Sequence, residues 1–596
     1  MTMIHRLAIL TLAAIPSTQA LADVRLTNDF PGGGYISTYT LATGIAYSDA
    51  TLAECSRSRG RQNEPAVAVN PRDTRVLIGS SNDYCGVYND GDDADGAPIP
   101  SGPIWLGYYR SENSGTSFRS SLVPGYPGDT SPYAALARVR TASAGDPVIA
   151  WDAHGRVFMG AESSDDPAGS KKSFGDVWVA RFDNPNGERG STLDDGKRFL
   201  GSVVVGQGSS APNLLGVFHD KTAIEADRTG GRCDGAVYFA WSRFTANGNN
   251  NIYLVRSTDH GESWSHPMNL TPREGGLQDP DIAVTGNGNV YVTYRTFERK
   301  NGQPNAINIV RSTDCGKTFG PSALVTTFVP YEVEDRTDAG APARDCGDAA
   351  NHCQSGYTFF RRDTSPRSTA DQYDAAREWV YIVFDGSKPR TEVATGTTYG
   401  SIGSGTGSQS GAYLVRYDGA TGKATAPKLI DSQATGHQAF PDISADGGVL
   451  HALWWDSRLD PCYSPARPIG NCADRRTVPS LDAWAAVSFN GGESWTDFAR
   501  ASAVSSNPNY EQFGGRTGPF AGDYLWVTSL GRFAFGAWTD WRNTVPGTDL
   551  REDTSEDHDS ADVLQCRTRL ASGVITGDTC PRAGGLDQNI YGAPTP

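Results

Sequence analysis

What this 596-residue chain lacks narrows its function before any motif is read. It has no cluster of lysine or arginine, and its formal charge is -16. Nucleic acid is not an expected partner, because phosphate binding needs a basic face. Beyond its first residues it has no apolar run of about 18 residues, so no membrane-spanning helix is expected. Its ten cysteines never take Cys-x-x-Cys spacing, and its nine histidines are scattered, a pattern that speaks against a zinc-finger or histidine metal centre. No Gly-x-Ser-x-Gly elbow, His-Glu-x-x-His pair or Walker-type lysine occurs, so serine-hydrolase, zincin and phosphate-loop chemistry have no foothold. No Pro/Ser-rich stretch is long enough to link a string of separate sandwich domains.

What is present reads as an exported, turn-rich β protein. Glycine occurs 68 times and mean hydropathy is -0.44, a globular rather than a disordered composition. His5 and Arg6 precede the apolar run from Leu7 to Ile15, and Ala20-Leu21-Ala22 has the small-x-small form of a cleavage site. Residues 1–22 are therefore expected to be a signal peptide, cut before Asp23, which would place the mature chain outside the cell or in the periplasm. An uncleaved N-terminal anchor is the alternative. Cysteines in an exported chain suggest disulfides. Cys346 with Cys353, Cys462 with Cys472, Cys566 with Cys580 and Cys55 with Cys85 are close in sequence, which leaves Cys233 and Cys315.

The chain repeats. An octet of the form Ser-x-Asp/Asn-x-Gly-x-Ser/Thr-aromatic occurs at 111–118, 257–264, 312–319 and 488–495. Each octet belongs to a longer unit. From Leu277 to Thr326 a short apolar run, a "GNGN" turn, the alternating segment Val290 to Tyr294, a loop, Ile307 to Arg311 and the octet follow one another. That is four short antiparallel strands in about 50 residues, the size of one propeller blade. Units start at Glu64, Asp146, Asp220, Asp279, Phe440 and Ala521, with a degenerate one between Gly356 and Asp431. An isolated four-stranded sheet cannot bury both faces, whereas a closed ring buries each face on a neighbour. The expected fold is all-β: a closed β-propeller of four-stranded blades over residues 63–596, seven-bladed, with six or eight left open. Residues 23–62 are expected to be an extension that completes the ring.

The octets resemble Asp-boxes (BNR repeats), and from about Asn63 to Tyr591 the chain resembles the sialidase-like β-propellers. The resemblance implies glycoside hydrolysis at the mouth of the central channel, of an exo-sialidase kind. It does not make the octet the active site. The octet joins the third and fourth strands of its blade, on the face opposite the mouth. Its Asp and Gly suit a hydrogen-bonded turn. Cys233, in a 1–2 turn, and Cys315, in the next blade's octet, share that far face and could bridge two blades.

The mouth is built from first-strand starts and second-strand ends. The first supply Glu64, Asp146, Asp220, Lys221, Asp279, Asp281, Asp442 and Asp523; the second supply Arg243, Arg295, Asp456, Arg458, Asp540 and Arg542. Carboxylates gathered there raise one another's pKa and can supply a general acid, and arginines can hold a substrate carboxylate. Asp146, Asp220, Asp279, Asp281 and Tyr294 are the catalytic candidates. Lys221, Arg243, Arg295, Arg361, Arg362, Arg458 and Arg542 are the substrate-binding candidates. Tyr524 is a candidate by position only. The repeated "W-x-D-x-R" also fits salt bridges inside each repeat. The Phe/Tyr-Arg-Ile-Pro signature of sialidases is absent; "FRRDTSPR" offers Arg361, Arg362 and Arg367 from another blade. The acidic loop "NDGDDADG" (Asp90, Asp92, Asp93, Asp95) could hold Ca2+, as could the acidic stretch from Arg551 to Asp562, although no cofactor is required. The Gly/Ser-rich stretch from Tyr399 to Gly411 suits a loop over substrate. The expected ligand is a carbohydrate, and a monomer is expected. A non-catalytic binding propeller is the second reading and a uronic-acid polysaccharide lyase the third.

Overall fold

A computed structural model describes residues 22–596 apart from 30–32, 57–61, 86–87, 93–97, 102–103, 141, 165–173, 212–214, 247–248, 299–301, 337–341, 344–363, 402, 475–477, 508–521, 544–566, 570–574 and 579–587. Seven four-stranded antiparallel blades form the ring of a seven-bladed β-propeller; Ala137–Arg138 adds a short parallel strand to blade 2, and the fourth strand of blade 5 is split into Lys423–Ala424 and Lys428–Leu429. The first strands of blades 1 to 7 are Gln62–Val69, Ser143–Trp151, Phe218–Ala226, Leu277–Val284, Arg367–Thr369, Gln438–Asp446 and Trp526–Leu530. They line the channel. The degenerate unit resolves as blade 5, built on Trp379–Ser387 and Ser410–Asp418. In blade 7 the third strand, Asn589–Thr595, comes from the C-terminus, and the fourth, Val24–Arg25, from the N-terminus. Pairing of Val24 with Gly592 and Arg25 with Tyr591 closes the ring by hydrogen bonds.

The cores lie between blades, because successive side chains of a strand point to opposite faces of its sheet. Val148, Phe158 and Val179 of blade 2 pack on Ile224, Phe239, Trp241 and Val255 of blade 3. Close packing demands glycine at Gly160, where a Cβ would lie 2.3 Å from the Phe239 ring.

All four octets make the same turn, at the end of the blade opposite the first-strand starts. Ser263 N–H donates to Asp259 at 2.9 Å, Thr318 N–H to Asp314 at 2.8 Å, Ser117 N–H to Asn113 at 3.0 Å and Ser494 N–H to Asn490 at 2.9 Å. Burial would raise the Asp314 carboxyl, but donation from the Thr318 hydroxyl and N–H brings it to about 2. The turn also docks on the preceding blade. The octet glycines Gly115, Gly261, Gly316 and Gly492 sit at positive φ against Phe535, Phe158, Tyr238 and Leu414. Arg256 of blade 3 donates to the Cys315 carbonyl of blade 4 at 2.7 Å. At that seam the disulfide Cys233–Cys315 joins blades 3 and 4, with Cα atoms 5.5 Å apart. Cys55–Cys85 and Cys462–Cys472 are also bonded. Cys346, Cys353, Cys566 and Cys580 lie outside the described residues.

Candidate functional site

Where the first strands enter the sheet, five blades carry a non-glycine residue at positive φ: Glu64, Asp146, Lys221, Asp279 and Phe440, between 49° and 56°. The ladder register shifts beside each of them. A bulge bends the strand and re-aims its side chains, and non-glycine residues there store of order 1–3 kcal/mol each. Such strain marks a functional site more often than a plain turn.

Three of these bulges and blade 7 bring charge together at the mouth. Glu64 and Asp146 are buried and in hydrogen-bond contact. Asn82 ties them, donating to Glu64 at 2.6 Å and accepting from the Asp146 N–H at 2.8 Å. The Lys221 ammonium is paired with the buried Asp523 carboxylate, and the Asp523 N–H donates to Glu64 at 3.1 Å. Burial, then the charges of Asp146 and Asp523, push the Glu64 carboxyl well above the usual carboxylate range; Lys221 acts the other way. Tyr524 is half-buried beside this group, and its hydroxyl donates to the Pro147 carbonyl at 3.5 Å. Burial and the Glu64 charge raise it. Asp146, Glu162 and Asp220 each place a carboxylate oxygen within 4.8 Å of the other two. Among the described residues one other trio has three ligand atoms that close: His154, Asp234 and His260, on the opposite face.

Below the mouth lies a second layer, from corresponding positions of blades 4 to 7. The Arg367 guanidinium stands 3.2 Å from Asp442 and 3.9 Å from Asp281, with the Trp526 ring 4.0 Å beneath it. Asp442 also accepts from the Val527 N–H. Burial raises both carboxyls despite the cation, Asp442 to about 6. Glu225 and Arg228 line the channel further down. The cavity in this stretch is only about 80 Å³, against roughly 300–1,000 Å³ for ligand pockets. A sugar can therefore be met at the mouth but not within the channel.

Of the sequence candidates, Asp146, Asp220 and Lys221 meet at the mouth, Asp281 lies in the layer below, and Asp279 holds the mouth position of blade 4. The remaining candidates lie elsewhere. Tyr294 points between blades 3 and 4, where its hydroxyl meets Ser322 at 2.6 Å and Glu274 at 3.1 Å. Glu274 edges a cavity of about 350 Å³ on the outer part of blade 4, also lined by Arg273, Gln303 and Asn308. Arg243 stacks on Tyr253 at 4.8 Å, and burial beside that cation holds His219 down at about 3. Arg295 is buried on Glu332, the Thr364 carbonyl and Asn305. Arg458 pairs with Asp456 of its own repeat and with Asp431, over the Trp484 ring. Arg542 pairs with Asp540 and with Asp23, over Tyr591. Asp90 and Asp92 fall on a short strand, Tyr88–Asp92, that pairs with Pro98–Ser101. Arg361, Arg362, Asp93, Asp95 and the acidic stretch 551–562 lie outside the described residues.

Glu64, Asp442, Asp523 and Tyr524 entered the sequence reading only by position, and Arg367 only beside its neighbours. A usable signal was the dipeptide before proline at the strand starts: Glu64-Pro65, Asp146-Pro147, Asp279-Pro280 and Phe440-Pro441.

The site thus belongs to a seven-bladed β-propeller with a charged channel mouth. No family model matches the chain, and no curated protein matches it. Among solved structures it is similar to the Hadza microbial sialidase Hz136, at 14% identity over 68% of this chain and 64% of that one, with a TM-score of 0.37. It is similar to Trypanosoma rangeli sialidase in complex with the inhibitor DANA, at 9% identity over 73% and 55%, TM-score 0.34. It is also similar to Penicillium chrysogenum alpha-L-arabinanase complexed with arabinobiose, at 11% identity over 73% and 94%, TM-score 0.37. The chain thus spans less than two thirds of the length of either sialidase. No residue role is carried over from these likenesses.

Proposed function

We propose that this chain is an exported glycoside hydrolase acting at the channel mouth, with residues 1–22 removed and the four octets serving as Asp-boxes. The observation that carries the reading is the Glu64–Asp146 contact. Burial, with the Asp146 and Asp523 charges beside it, raises the Glu64 carboxyl well above the usual range, so Glu64 keeps its proton where solvent-exposed carboxyls have lost theirs. A proton held in that way suits protonation of a glycosidic oxygen. Glycosidases set their two carboxyls roughly 5–9.5 Å apart. Glu64 and Asp146, being in contact, act as one acid, and Asp523 beside Lys221 is the second carboxylate. Within this class the described residues of the mouth favour a neutral, hydroxyl-rich sugar over sialic or uronic acid. Arg243, Arg295, Arg458 and Arg542 hold other partners, and Lys221 already faces Asp523. A binding propeller with the same mouth is the second reading, favoured by the smallness of the cavity beneath it.

The test is turnover of a pool of neutral, uronic and sialylated glycans, with products read by mass. The expected result is release from the neutral class, with kcat/KM lowered about 10²–10⁴-fold in Glu64→Gln and Asp146→Asn, both folded by circular dichroism. Release from sialylated glycans alone would overturn the substrate choice. Binding of a glycan without release would establish the second reading. No release from any class by the folded protein would end the hydrolase reading.

A further inference from the structure

On the face opposite the mouth, two histidines 106 positions apart in sequence meet across the seam between blades 2 and 3. His154 sits in the 1–2 turn of blade 2, Asp234 in the 1–2 turn of blade 3, and His260 in the octet of blade 3. One ring nitrogen of each histidine and one Asp234 carboxylate oxygen lie within 4.8 Å of one another. The rings stand edge to face with centroids 4.9 Å apart. His154 Nε2 is already 3.1 Å from Asp234.

The surroundings distinguish this trio from an accidental group of surface charges. His260 Nδ1 is 2.9 Å from the buried Asp152 carboxylate. His154 Nδ1 is 2.8 Å from Glu188. For His260 the carboxylate on Nδ1 fixes the tautomer that leaves the Nε2 lone pair toward a ligand; His154 holds a carboxylate at each ring nitrogen, so a metal ion would replace the proton that it shares with Asp234 through Nε2. Metal-binding histidines are oriented in this way, and the carboxylate raises their basicity. Asp152 is itself fixed, accepting from the His154 N–H at 2.8 Å and the Arg156 N–H at 3.0 Å. His260 is held at φ 56° by its octet turn. A tetrahedral ion with bonds of about 2.0–2.1 Å sets its ligands about 3.4 Å apart, a small closure from the present spacing.

We propose that His154, His260 and Asp234 form a site for a divalent transition-metal ion of the Zn2+ class, with a solvent molecule as fourth ligand. Two imidazoles and one carboxylate suit Zn2+, Ni2+, Cu2+ or Co2+ and not Ca2+ or Mg2+, which take oxygen ligands. The ion would clip blade 2 to blade 3, as Cys233–Cys315 clips blade 3 to blade 4. The assignment is independent of the glycan reading, being on the other face.

The test is calorimetric titration of Zn2+ into the mature chain, without a histidine tag and after chelator treatment and dialysis. One site per chain, with micromolar or tighter Kd, is expected. Loading with Co2+ should give the visible absorption of a tetrahedral N/O centre. His154→Ala and His260→Ala should each weaken binding at least 100-fold. Asp152→Asn, which removes only the orienting carboxylate, should weaken it 10–100-fold. Circular dichroism and thermal midpoints of the variants check that they are folded. No Zn2+ bound at micromolar concentration would overturn the proposal and leave the trio as a salt-bridged His154. So would binding unchanged in both histidine variants.

Discussion

Asp442 gives the sharpest test of the channel electrostatics. It is buried, 3.2 Å from Arg367, and its carboxyl is nevertheless raised from 3.8 to about 6. Burial dominates; Arg367 and the Val527 N–H oppose it, and Asp281 adds to the rise. Removing a charge from water thus outweighs the nearby cation, as it does for many buried ion pairs. Because the folded pKa lies above the unfolded one, the folded state binds the proton more tightly. The resulting stability is fully present below pH 3.8 and is lost as pH rises through about 6. At about 1.4 kcal/mol for each pH unit, the whole effect is about 3 kcal/mol, of which about 2 falls between pH 4.5 and 7.5. Asp442→Asn has nothing to titrate. Urea unfolding of wild type and variant at those two pH values, disulfides intact, should show the wild type losing about 2 kcal/mol more than the variant as pH rises. The comparison is internal, so Asp83, also raised to about 6 by burial, cancels. Parallel profiles within about 0.5 kcal/mol would refute the argument. They would mean that Arg367 fully compensates Asp442 and that the layer below the mouth carries ordinary carboxylates.

Two further predictions concern the scaffold. Cys233→Ser with Cys315→Ser opens a loop of 82 residues, and loop-closure entropy makes this worth about 4–5 kcal/mol, against about 3 for the 10-residue loop of Cys462–Cys472; non-reducing urea titrations should rank the two losses in that order, and equal losses would deny the inter-blade clip its role. In the octet, Asp259→Ala removes the acceptor for Ser257, Ser263 N–H and the Ser263 hydroxyl and should cost about 1–2 kcal/mol with glycan turnover unchanged. Asp259→Asn should cost much less, because Asn113 and Asn490 accept the same backbone bond in their own octets; loss of turnover in either variant would move function to the octet.

The fold was legible because a propeller repeats its local chemistry. Valine and tyrosine alternating through Val290 to Tyr294, a Gly turn before them and an octet after them are local signals, and seven such units admit few arrangements. The octet's turn chemistry followed from its Asp and Gly, and the possible Cys233–Cys315 bridge from the strand direction that a propeller imposes. Blade 5 was hard to mark because its first strand is short, Arg367–Thr369, and its octet is missing, with a turn through Gly419, Ala420, Thr421 and Gly422 in its place. The site was legible only as a set of positions. First-strand starts converge because they surround one axis, so Asp146, Asp220 and Lys221 meet there. Second-strand ends do not. They stand one strand further out, and their side chains leave the faces of the sheet rather than entering the channel, so Arg243 finds Tyr253 on the next strand of its own blade and Arg295 finds Glu332. Pairings such as Glu64 with Asp146, or Arg367 with Asp442, join residues 82 and 75 positions apart in the chain, on different blades. They depend on how one blade is rotated against the next, which no single repeat encodes. The same holds for His154 and His260: scattered in sequence, they are brought to one seam by the ring. A charged residue beside a first-strand proline is therefore a better guide to this mouth than an arginine at a second-strand end, since the bulge fixes where the former points.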